Sequence, residues 1–108
     1  MRKNDLSSPQ KWLIEHCQIT RFGKLRFHVR VGAPDPSLPC HTSRTIRLFG
    51  GDNGPRPEAS YADFELCKEQ LALLKQLSTL RDGTCITVRV MNGLPSNSID
   101  IEEDLRAA

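Results

Sequence analysis

The segment between the turn-forming runs Gly50-Gly51-Asp52-Asn53-Gly54-Pro55 and Arg81-Asp82-Gly83 carries apolar residues at helical spacing. Ser60 followed by Asp63 has the capping-box pattern that opens a helix, and Gly83 suits the left-handed position after a last turn. The spacing predicts one long amphipathic helix from about Tyr61 to Leu80. Phe64, Leu66, Cys67, Leu71, Leu73, Leu74, Leu77 and Leu80 spread over an arc about twice the ~100° stripe that packing on one surface needs. The excess face requires a cover. A helix near Trp12 is one candidate and a second copy of the chain is the other. On the second reading Leu66, Leu73, Leu77 and Leu80 form the interface.

The rest of the chain supplies strands. Lys24 to Val31 alternates strictly, with Leu25, Phe27, Val29 and Val31 on one side and Lys24, Arg26, His28 and Arg30 on the other. That is the pattern of a half-buried strand. Gly23 is placed to turn a hairpin from a short run Ile19–Phe22. Pro34, Pro36 and Pro39 make residues 32–43 a loop. Further strands are predicted at Arg44–Phe49, Thr84–Val90 and, after a turn at Asn92-Gly93 longer than a two-residue hairpin, a short run around Ile99 and Ile101. Ser7 or Ser8, with Pro9, opens a short N-terminal helix to about Cys17.

With 108 residues the chain is sized for one domain, 1–108, and its 38% hydrophobic and 26% charged residues are ordinary for a globular protein. No apolar run has the length of a membrane span or of a secretory leader's apolar core, so a cytoplasmic location with no membrane partner is expected. The four cysteines, Cys17, Cys40, Cys67 and Cys85, are then expected as thiols. The net charge of +2 is unevenly spread. Residues 1–56 hold 10 Lys/Arg against 4 Asp/Glu, and residues 57–108 hold 5 against 9.

Three chemistries come into question for these residues. Lys24, Arg26, His28, Arg30, Arg47 and Arg89 face outward if their strands share one sheet. Cations two residues apart on a strand are ~6.6 Å apart, a spacing that suits a nucleic-acid backbone. Only Phe49 and Phe22 are available for stacking bases. The alternative for this face is neutralisation by Asp100 and Glu102 on the last strand. The sulfur and imidazole groups at His16-Cys17, His28 and Cys40-His41 lack the spacing of a zinc site, so no metal or cofactor is expected. Cys40-His41 has no third member to orient a nucleophile, and the acidic run Glu102-Glu103-Asp104 reads as solvated, so no enzyme is expected.

The expected fold is therefore α+β: an antiparallel sheet of about four or five strands packed on one long helix, with a short N-terminal helix. The expected function is a non-catalytic protein-interaction module, with a protein partner or self-association as a homodimer. The alternative is a nucleic-acid-binding module using the basic sheet face.

Overall fold

The computed structural model describes residues 1–103. It is an α+β arrangement with two helices, α1 (Ser8–Thr20) and α2 (Lys68–Leu77), and strands β1 (Gly23–Arg30), β2 (Ala33–Pro34), β3 (His41–Arg44), β4 (Cys85–Met91) and β5 (Leu94–Glu102). The strands form one antiparallel sheet ordered β2-β1-β4-β5, with β3 also paired to β1.

The helix α1 opens on Ser7, whose hydroxyl accepts from the Gln10 amide at 3.3 Å while Gln10 Oε1 accepts from the Ser7 amide at 2.9 Å. It runs three residues past the predicted Cys17 and absorbs Ile19-Thr20, so the short run before Gly23 is helix end rather than strand. Continuing the helix keeps Cys17, Gln18 and Thr20 buried beside Leu13 and Ile14.

The long helix is half its predicted length. Residues 61–67 are not helical, because the N-terminus pairs with them. The amides of Lys3 and Leu66 donate to the carbonyls of Phe64 and Met1, both at 2.9 Å. Asp63, expected to cap a helix, instead accepts from Arg2 Nε at 2.7 Å and the Asn4 amide at 3.1 Å. The helix begins at Lys68, where Gln70 Oε1 accepts from the Cys67 amide at 3.0 Å. Gly83 does not cap it either; its amide joins the Val29 carbonyl at 2.8 Å.

Both helices lie on one sheet face. Leu25, Phe27 and Val29 of β1 and Ile86, Val88 and Val90 of β4 form one core with Leu13, Ile14 and Cys17 of α1 and Leu73, Leu74 and Leu77 of α2. Leu66, Leu73 and Leu77 are buried in that core and Leu80 packs against it. The expectation that these four leucines form an interface is thus corrected: the chain covers them itself. Of the α2 leucines only Leu71 is exposed, at 37%.

The strand boundaries also shift. Residues 32–43 are not all loop, since Val31-Gly32 turns β1 tightly onto β2 and β3 begins at His41. Val31, expected in the core, is 82% exposed and has φ 51°. Beyond Arg44 the predicted strand to Phe49 is irregular. Asn92-Gly93, with φ 52° and 76°, does make a two-residue hairpin, because both central residues tolerate the left-handed region. The last strand starts at Leu94 and is interrupted where Arg89 of β4 faces Ser96-Asn97-Ser98.

Candidate binding face

The sheet face away from the helices is uncovered along most of β1 and β3. Lys24, Arg26 and Arg30 are exposed and His28 is half-buried, all on one side of β1 by strand alternation. Register adds neighbours on both flanks. Lys24 stands opposite Arg89 of β4 and Ser43 of β3; Arg26 stands opposite Thr87 and His41. Directly paired residues of antiparallel strands share a face. The structure therefore brings together five of the six predicted basic residues. Arg47 is the exception, since it lies beyond β3 with its guanidinium carbon 4.9 Å from the centre of the Phe22 ring.

Two of these five basic residues, Arg26 and Arg89, have acidic partners on β5. Arg26 Nη2 is 3.4 Å from Glu102 Oε2, and Arg89 Nη2 is 3.3 Å from Asp100 Oδ2. All four side chains are about half-exposed, so the pairs exchange readily with solvent and ions. The acid strand partly screens the basic face without covering it. Lys24 and Arg30 form no ion pair among the described residues. Glu103 reaches Arg81 at 3.6 Å, at the end of the sheet where His28 lies. Asp104 lies outside the described residues.

At the opposite end, a cleft of about 700 Å³ opens beside the β5 interruption. Lys24, Arg89, Ser43, Thr45, Ser96 and Ser98 contribute to its wall, together with the Glu69 carboxylate from α2, and Phe22 and Met91 are apolar surface. Cations and hydroxyls in one concavity suit an anionic group.

Three features were not read from sequence. His41 and Ser43 belong to the open face, but their alternation was hidden in the proline-rich stretch. Arg44 extends the basic edge, with Nη2 donating to the Asn53 carbonyl at 2.6 Å. Phe49, named as a stacking residue, had been placed on a strand; in the structure it is 93% exposed on a loop, beside Leu48 at 86%.

Cys17 and Cys40 are poor nucleophiles. Burial pushes the Cys17 thiol up to about 12. The Cys40 thiol is also raised, first by desolvation and then by the nearby Asp35 charge. A reactive cysteine needs the opposite environment. Among the described residues no group of three or more His, Cys, Asp or Glu side chains is placed to hold a metal ion, and no helix is long and apolar enough to cross a membrane.

Comparison with protein-family models, with curated proteins and with solved structures finds no match for this chain.

Proposed function

We propose that the protein is a non-catalytic module that binds single-stranded nucleic acid by its phosphate backbone across the open sheet face. The observation that carries this reading is the row Lys24, Arg26 and Arg30 on β1, flanked by Arg89, His41 and Ser43 in register. Strand geometry puts Lys24 and Arg26 ~6.6 Å apart and Arg26 and Arg30 ~13 Å apart, with His28 between them. Such a row holds a flexible strand by charge and by counterion release, without reading sequence. The hydroxyl of Ser43 and a ring N–H of His41 are donors to phosphate oxygens. Self-association through α2 loses its motive, because its leucines are core residues.

The test is fluorescence anisotropy with a labelled 12-nucleotide thymidine strand over a salt series. Wild type should bind with log K falling linearly in log salt. Arg26→Glu with Arg30→Glu should weaken binding and flatten that slope by about 0.7, the share of Arg30 at ~0.7 per phosphate contact on single strands, since Glu102 holds Arg26 in wild type. Unchanged binding in the double variant would remove the sheet face from the mechanism. Mass by light scattering belongs in the same experiment. A dimer that binds no oligonucleotide would favour the protein-interaction alternative.

A further inference from the structure

Leu48 and Phe49 are the most exposed large apolar side chains among the described residues, yet the loop that carries them is held by its own side chains. Asn53 bridges it: its Oδ1 accepts from the Arg47 amide at 2.9 Å and its Nδ2 donates to the Arg47 carbonyl at 2.8 Å. This pair imitates one rung of an antiparallel ladder and closes residues 47–53 into a ring. The Arg44 guanidinium holds the Asn53 carbonyl from outside. Arg47 lies over Phe22, at the cleft that also contains Lys24 and Arg89.

Gly51 makes this packing feasible. It has φ 80°, and a Cβ there would stand 2.9 Å from Arg47 Cδ and 3.0 Å from Nη1. The loop thus projects an aromatic ring on a fixed base, which lowers the ordering cost of using it in binding.

The surroundings select the occupant. Arg44 and Arg47 flank the tip, and Asp52 is the only acid between residues 36 and 57. The partner must therefore combine negative charge with a flat apolar face. Thr45 lies on the cleft wall with Lys24, and Phe49 is four residue steps further along the chain, a reach of at most about 14 Å. A strand whose phosphates lie on the sheet can bring a base that far.

Resting on the reading above, we propose that Phe49 is a stacking residue for an unpaired base of the bound single strand, with Leu48 as the adjoining apolar contact. Loss of one stacked base lowers affinity by about 5- to 150-fold.

The experiment compares wild type and Phe49→Ala on the thymidine 12-mer and on an abasic strand of the same length. Phe49→Ala should weaken the 12-mer complex at least 5-fold. Its affinity for the abasic strand, and its salt slope on either strand, should stay within error of wild type. Phe49→Trp should restore affinity, and its emission should be quenched by the 12-mer above the background from Trp12. Equal affinity of Phe49→Ala and wild type for the 12-mer would overturn the stacking role while leaving the backbone reading intact. An equal loss on the abasic strand would do the same. Phe49-dependent capture on phosphatidylserine vesicles, with oligonucleotide binding unmoved, would reassign the loop to a lipid surface. Absence of salt-sensitive binding by wild type to either strand would overturn both proposals. The side chain is 93% exposed, so the alanine variant should melt as wild type does.

Discussion

Neutralising the acid strand should strengthen anion binding, in the variant Asp100→Asn with Glu102→Gln. Both carboxylates sit on the open face, opposite Thr87 and Cys85 in the β4–β5 register. They occupy Arg89 and Arg26 at 3.3 and 3.4 Å. A phosphate on the β1 row would lie about 7 Å from each carboxylate. In water that repulsion is about 0.6 kcal/mol per carboxylate, reduced to about 0.25 by 0.15 M salt. Releasing each arginine from an exposed pair saves a further 0.2–1 kcal/mol or so. The sum is about 0.9–2.5 kcal/mol, a roughly 5- to 70-fold gain in affinity for the thymidine 12-mer. Two freed arginines should also steepen the salt slope, from about −1.4 with Lys24 and Arg30 engaged to about −2.8 with all four. Anisotropy titrations at 50, 100 and 200 mM salt read both quantities. An affinity that stays level or falls, in a variant whose melt is within a few degrees of wild type, would refute the idea that phosphates use this face.

Other expectations concern the scaffold. Asn53→Ala removes both bonds that close the loop, so the Arg47 amide should exchange with solvent faster and affinity for the 12-mer should drop with no change in salt slope. Val31 adopts φ 51° with its side chain 82% exposed, a conformation that a β-branched residue dislikes. Val31→Asn, giving the Asn-Gly pair that such turns prefer, should raise stability by about 1 kcal/mol, read as a melting shift of a few degrees upward. Cys17 is held neutral by burial, with its pKa pushed up to about 12. The folded state therefore keeps a proton that the unfolded chain releases above about pH 8.5, so the contribution is intact below that pH. It is lost between there and pH 12, at up to about 1.4 kcal/mol per pH unit. Urea titrations at pH 8, 9.5 and 10.5 should show this alkaline loss in wild type, and Cys17→Ala should lessen it by that slope.

How far the chain could be read from its residues depended on where each pattern was anchored. The β1 alternation was decisive because burial of Leu25, Phe27 and Val29 fixes the opposite face, and one slipped residue would invert both. The same logic placed Arg89 with Lys24, and it identified Asp100 and Glu102 as the partners of the arginines. The helix failed for a reason that local pattern cannot supply. Phe64 and Leu66 fit a helical arc, yet they also alternate with Asp63 and Glu65 as an extended segment does. The pairing of Met1 and Lys3 with Leu66 and Phe64 decides between the two. It lies more than sixty residues away in sequence, so propensity and capping signals in residues 60–63 had no access to it.

Phe49 was misplaced by a related confusion. Ile46 and Leu48 alternate with Arg47 as a strand would, but the Asn53 side chain takes the Arg47 backbone groups that a neighbouring strand would need. A side-chain amide competing with the backbone for hydrogen bonds is the ordinary way such a pattern is diverted into a loop. The diversion has a cost, since it leaves an aromatic ring and a leucine in water with no packing to offset it. β1 begins at Gly23, opposite Arg44, so the chain past Arg44 has no strand of this sheet to continue along. It instead spends Arg44, Arg47, Asn53 and Gly51 on holding the ring outward beside a basic cleft, and the stacking experiment on Phe49 asks what that surface meets.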